Sequence, residues 1–217
     1  VVQSFAVPPL SPIEIIVRFT ALILSLSFHE AAHAWTANRL GDPTAKMLGR
    51  LTLNPIAHVD WIGTVLFPLV AMISNLPLIG WAKPVPVNGL NLRDPRRDFA
   101  VVALAGPVSN VILAVGAAAL RMIVGAIAPH DTFMTELLMF ALAYFIGLNV
   151  LLAVFNLIPV PPLDGGNVLL GVLPGAAARV YQQIRPLGFL ILYALLLSGI
   201  LWDIIGPINR IVLNWLT

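Results

Sequence analysis

The chain has 217 residues, of which 59% are hydrophobic and only 10% charged, with a mean hydropathy of +0.94. A soluble domain carries roughly 25% charged residues, so this composition excludes a water-soluble globular protein and indicates membrane residence. The net charge of +2 rests on twelve basic residues in short loops, which read as topology signals and not as a nucleic-acid footprint, and the absence of cysteine excludes disulfides, thiol nucleophiles and thiolate metal sites.

In chain order, the first residues lack the basic region of a cleaved signal peptide, so the first apolar stretch is expected to remain as a membrane helix. Ser11-Pro12 opens that helix, and Gly41-Asp42-Pro43 stops it near Leu40. A polar loop covers 41–60. The apolar run 61–80 follows, interrupted by Pro68 and Pro77. In 81–97, the Val-Pro-Val alternation predicts an extended, edge-strand-like segment. Long helices are predicted at about 98–127 and 132–158, with a turn at Pro129-His130-Asp131 between them. The Pro-rich stretch 159–166 ends the second. A short helix is predicted over 167–183, a membrane helix over about 186–204, and an interfacial helix over 207–217. The predicted fold class is an all-α polytopic membrane protein forming one domain over 1–217. It has about four transmembrane helices, a re-entrant segment, a short membrane-associated β-like segment and a C-terminal interfacial helix.

His29 and His33 lie four apart, so a helix places both imidazoles on one face. Glu30 sits between them in sequence, in reach of a water held by the metal. This His-Glu-x-x-His pattern is a zinc-protease signature. Ionisable residues inside an apolar segment cost several kcal/mol unless compensated, roughly 2.5–3.5 each, and a bound cation is the simplest compensation. The alternative is a buried structural polar cluster. A catalytic zinc needs a third protein ligand and one open position. Without cysteine, Asp164, Asp60 and His58 are the candidates. Asp164 in Pro-Pro-Leu-Asp-Gly-Gly also fits an ordinary turn, and His58 and Asp60 fit capping and interfacial packing.

Five segments resemble the site-2 protease family of intramembrane metalloproteases. They are Phe-His-Glu-Ala-Ala-His-Ala-Trp at 28–35, LNPIAHVD at 53–60, GWAKPVPVN at 80–88, ALAGPVSN at 103–110 and NLIPVPPLDGG at 156–166. The resemblance implies that His29, His33 and Asp164 bind one zinc ion and that Glu30 is the catalytic base. It implies that Asn156 hydrogen-bonds the substrate backbone or the developing oxyanion. Asn110 either supports the site or packs helices, with Gly106 permitting close approach. No PDZ-like insertion or nucleotide-sensing domain is recognisable, which is expected of a compact member.

If His33 and Asp164 share one metal, their helices must run in the same direction and 98–127 must run oppositely. The segment between 40 and 97 then begins and ends on one side, which predicts that 61–80 is re-entrant. Arg39, Lys46 and Arg50 before it, and Lys83, Arg93, Arg96 and Arg97 after it, agree with a shared cytoplasmic side. The expected location is the plasma membrane of a prokaryote, with the zinc nearer the cytoplasm. The expected partners are a transmembrane protein or peptide substrate and the lipid bilayer, with no nucleic acid. The substrate helix would have to unwind locally, and 81–88 would offer it a strand edge. Two rival functions are a membrane metal-ion transporter and a non-catalytic scaffold with a structural zinc. A Glu beside two His at this spacing disfavours both.

Overall fold

The computed structural model describes residues 10–74, 80–129 and 132–216. Helix α1, Pro12–Arg39, begins with a capping box: Ser11 Oγ accepts from the Glu14 N–H, and Glu14 Oε2 accepts from the Ser11 N–H. It ends where Gly41 turns the chain at φ 112°, a conformation open to glycine and strained for other residues. The turn of α2, Thr44–Met47, follows. Asp60 then caps a helical stretch whose first part, Trp61–Leu66, has π geometry and whose second part is α3, Phe67–Ile73. Residues 75–79, which include Pro77, lie outside the described residues.

The chain next comes back onto the start of its own helix. The Trp81 N–H donates to the Gly63 carbonyl at 3.0 Å, and Thr64 Oγ1 donates to the Trp81 carbonyl at 2.7 Å. Phe67 and Trp81 meet edge to face at 5.3 Å. Any side chain at Gly63 would collide with the Trp81 indole.

No strand occurs among the described residues, which corrects the expectation of a β-like segment at 81–97. Pro84 and Pro86 have no N–H to offer a ladder. The neighbouring donors are used elsewhere: the Lys83 N–H on the His58 carbonyl and the Val85 N–H on a Glu30 carboxylate oxygen. The segment is an irregular strap tied to loops and to α1.

Helix α4, Pro95–Ile127, starts with Pro95 in its first turn and Asp94 as cap. Helix α5, Phe133–Asn156, is capped by Thr132. The expected turn residues His130 and Asp131 lie outside the described residues, as do the N-terminal residues 1–9 and Thr217. The expected helix at 167–183 is two helices, α6, Asp164–Val172, and α7, Gly175–Ile184, because Pro174 between them cannot continue the first. Helix α8, Gly188–Leu197, follows. The expected membrane helix at 186–204 is interrupted at Ser198-Gly199, where Gly199 has φ 81°. Helix α9, Ile200–Leu216, then folds back on the bundle and contains the described part of the expected interfacial helix, 207–216. Its Val212, Leu213 and Leu216 pack on Ala114, Ala117 and Ala118 of α4 and on Leu142, Ile146 and Val150 of α5.

Four stretches among the described residues are long and apolar enough to cross a membrane: Pro12–Arg39, Pro95–Ile127, Phe133–Asn156 and Gly175–Leu197. Side-chain contacts give their directions. Along α1, Arg18 lies over Tyr144, Leu22 clusters with Leu148, and Ser25 bonds Asn149, so α1 and α5 run parallel. His33 bonds residue 102 and His29 bonds residue 110, so α4 runs antiparallel to both. Small residues on α4, including Ala103, Gly106 and Ala114, allow these helices close approach.

Candidate metal centre

His29 and His33 share one face near the end of α1, and both are more than nine-tenths buried. Asp164 reaches them from the first residue of α6. The glycines that follow it set its place: a Cβ on Gly165 would meet the Leu157 carbonyl at 2.2 Å, and one on Gly166 would meet Tyr181 Oη at 2.8 Å. Without side chains there, the first turn of α6 folds tightly on the end of α5, and Asp164 points at the imidazoles. Its Oδ2 lies 3.0 Å from His29 Nε2 and 3.4 Å from His33 Nε2. Ligands bonded to a tetrahedral zinc at about 2.0–2.1 Å lie roughly 3.3 Å apart, so the donors match that ion in type and the two carboxylate–imidazole separations match it in distance. Gly106 of α4 completes the space: a Cβ there would lie 2.5 Å from both Nε2 atoms.

The opposite nitrogens of both rings are fixed. His33 Nδ1 faces the Val102 carbonyl at 2.7 Å, and a carbonyl only accepts, so Nδ1 carries the proton and Nε2 presents its lone pair. The tautomer of His29 follows from a longer chain. Asn149 Nδ2 donates to the Phe145 carbonyl and to Ser25 Oγ, both at 2.9 Å, so Asn149 Oδ1 must face Asn110. Asn110 Nδ2 donates to it at 2.8 Å, which turns Asn110 Oδ1 toward His29 Nδ1 at 2.6 Å. His29 Nδ1 therefore donates, and its Nε2 is also free to ligate. Ser25, Asn110 and Asn149 are fully buried and join α1, α4 and α5. Asn110 thus holds a candidate ligand directly. Asn149 and Ser25 were not singled out from sequence, although Asn149 is a lone amide in the apolar run Tyr144–Phe155, the kind of intramembrane polar residue that marks a site.

Glu30 lines the same cavity, of about 320 Å³, together with Asn156, Val85 and Leu152. Glu30 Oε2 accepts the Val85 N–H at 2.9 Å. Asn156 uses one amide hydrogen on the Leu152 carbonyl of its own helix, at 2.9 Å, and retains a second. The strap Gly80–Val87 forms the opposite wall.

The remaining candidate ligands lie elsewhere. His58 Nε2 bonds the Thr52 carbonyl at 2.8 Å, and Asp60 accepts from the Ile62 and Gly63 N–H groups as a helix cap. Among the described residues, the group able to hold a metal is His29, His33 and Asp164.

The sequence profile of peptidase family M50 matches residues 18–199. YwhC of Bacillus subtilis (strain 168), named provisionally as a zinc metalloprotease, is 40% identical over 191 residues, which cover 85% of this chain and 84% of YwhC. Rip2 of Mycolicibacterium smegmatis, named in the same way, is 30% identical over 199 residues, covering 91% of this chain and 73% of Rip2. Rip2 of Mycobacterium tuberculosis (strain H37Rv) is 30% identical over 178 residues, covering 81% and 64%. No solved structure matches.

Proposed function

The chain belongs to peptidase family M50, and from that premise we propose how its buried site cleaves a peptide bond within the membrane. The protein is an intramembrane zinc metalloprotease. The observation that carries the site assignment is the convergence of His29, His33 and Asp164, brought together from two ends of the chain beside an unligated carboxylate, Glu30. His29, His33 and Asp164 would hold the ion, which would supply polarisation of the scissile carbonyl and acidification of a water. Glu30 takes a proton from the attacking water and delivers it to the leaving amine. Asn156 lines the cavity with one amide hydrogen free and donates it to the oxyanion. The Val85 N–H holds one oxygen of the base and leaves the other to take the proton.

The substrate is a protein, read here as a transmembrane segment opened locally from its helix. The strap Gly80–Val87 supplies a wall along which an extended peptide lies. We read residues 1–217 as a single catalytic unit in the plasma membrane of a prokaryote, with the zinc toward the cytoplasm. The stretch Trp61–Ile73 is taken as re-entrant. At 1.5 Å per residue its length is about 20 Å, short of the roughly 30 Å hydrocarbon core, and Trp81 lies back beside Gly63. The basic clusters on either side of it support a shared cytoplasmic face.

The deciding experiment compares wild type with Glu30→Gln and Asp164→Asn. Glu30→Gln is expected to keep stoichiometric zinc by metal analysis and to lose cleavage of a single-span substrate by roughly 10²- to 10⁴-fold. Asp164→Asn is expected to lose both. Full proteolysis by Glu30→Gln would refute the role of Glu30. Zinc flux into liposomes without hydrolysis would replace the protease reading with transport.

A further inference from the structure

Beside the catalytic cavity lies a second hollow of about 270 Å³, between the start of α4, α6 and the end of α7. Arg96, Arg185 and Gln182 give it a polar side, and Phe99 and Leu170 an apolar one. No carboxylate lines it. Neither arginine has an ion-pair partner among the described residues. Both guanidiniums are anchored on α6: Arg96 Nε donates to the Leu170 carbonyl at 2.8 Å, and Arg185 Nη2 donates to Asn167 Oδ1 at 3.0 Å. Each retains most of its five donors. Two guanidiniums lining one hollow, each held by one hydrogen bond and with no carboxylate beside them, suit the oxygens of a phosphate.

We propose that this hollow binds the phosphate of an anionic membrane lipid. A free phosphate offers the same chemistry, but the surroundings favour the lipid. Directly after Arg185 the chain becomes wholly apolar in α8, Gly-Phe-Leu-Ile-Leu-Tyr-Ala-Leu-Leu-Leu. Phe189, Leu190 and Leu197 of α8 are 65%, 69% and 83% exposed. A headgroup between the arginines places its acyl chains along that uncovered face. Basic pockets between membrane helices on the side rich in Lys and Arg take anionic headgroups in this way. The hollow shares Phe99 and Asn167 with the catalytic cavity, and α6 begins with Asp164. A lipid seated there braces the helix that carries a metal ligand.

Lipid retention tests the site without reference to catalysis. The purified protein is equilibrated with phosphatidylglycerol or phosphatidylcholine, and bound lipid is counted by native mass spectrometry. Wild type is expected to retain phosphatidylglycerol preferentially, and excess inorganic phosphate is expected not to displace it. The double variant Arg96→Gln/Arg185→Gln should weaken that retention roughly 10- to 30-fold, while Arg93→Gln/Arg179→Gln, an equal charge change outside the hollow, leaves it intact. The charge-conserving pair Arg96→Lys/Arg185→Lys keeps the charge but not the guanidinium donors, so it should retain phosphatidylglycerol more weakly than wild type and more strongly than the glutamine pair; wild-type retention in the lysine pair would overturn the proposal that the guanidiniums form the site. Equal retention of the two lipids would overturn it as well. Displacement by inorganic phosphate would assign the hollow to a soluble anion. Unchanged lipid retention in the glutamine pair, with a raised KM for a substrate bearing acidic residues, would assign it to the substrate.

Discussion

A single acceptor, the Phe145 carbonyl, decides the protonation of His29 through two amides. The chain is directional, and this makes it testable. Asn149→Leu removes the oxygen that accepts from Asn110 Nδ2, and the order that ends at His29 Nδ1 is lost. The expected result is a 10- to 100-fold loss of zinc affinity by chelator competition, the usual effect of removing a partner behind a metal-bound imidazole. Asn110→Leu should match it, and the double variant should be no worse than either alone, because both act through one bond. Additive losses would show separate roles. Gly106→Ala is the steric counterpart. Its methyl would enter the space between the imidazoles, so metal binding should be abolished while helix content by circular dichroism stays unchanged. The His-Glu-x-x-His pair was legible in the sequence because its spacing is a property of one helix. Asp164 was not separable from Asp60 and His58 by spacing, because its approach depends on two glycines packing on the end of α5, a tertiary fact. The resemblance alone distinguished it.

Among the elements, the strap Gly80–Asn88 departs most from its sequence pattern. Alternation of valine and proline describes an extended backbone, but not who receives its hydrogen bonds. Here the recipients are His58 and Glu30, and no strand forms. The end of the strap is pinned by Asp42, fully buried after α1. It accepts from the Thr44 hydroxyl and N–H, the Asn91 amide and the Asn88 N–H, the last at 2.7 Å. Burial opposes ionisation of Asp42, but these bonds outweigh it and hold its carboxyl below the usual carboxylate range. A group with a depressed folded pKa stabilises the folded state fully above its unfolded value, and that contribution is lost as pH falls through the folded one. Asp42 thus supports the strap throughout the neutral range and weakens it only in strong acid. Asp42→Asn presents an amide to the Asn88 N–H and should cost about 1–3 kcal/mol, read as a lowered thermal midpoint in detergent. The variant should also lose the acid-limb pH dependence that Asp42 contributes. The break at Gly199 was equally hidden: the apolar composition continues through it, and only the positive φ and the return of α9 onto α4 and α5 divide the run.

At the scale of the molecule, one requirement links site and topology. Two imidazoles near the end of α1 and a carboxylate just after α5 meet only if those helices run parallel, and the pairs Arg18–Tyr144 and Ser25–Asn149 confirm that direction. Helix α4 runs the other way, so the chain between Arg39 and Pro95 must leave and rejoin the same face of the bundle. That inference was available from sequence because it needs only which residues share a metal. The placement of α9 was not, because its apolar face has no partner until α4 and α5 are assembled. The topology makes a test with three positions in a chain that has no native cysteine. Lys46→Cys in α2 and Arg93→Cys before α4 flank the Trp61–Ile73 stretch at exposed positions, and Met134→Cys lies at the start of α5. An impermeant maleimide should label positions 46 and 93 from one side of sealed vesicles and position 134 from the other. If 46 and 93 labelled from opposite sides, Trp61–Ile73 would have to cross the bilayer. Helix α4 would then be reversed relative to α1, and His33 could not reach the Val102 carbonyl.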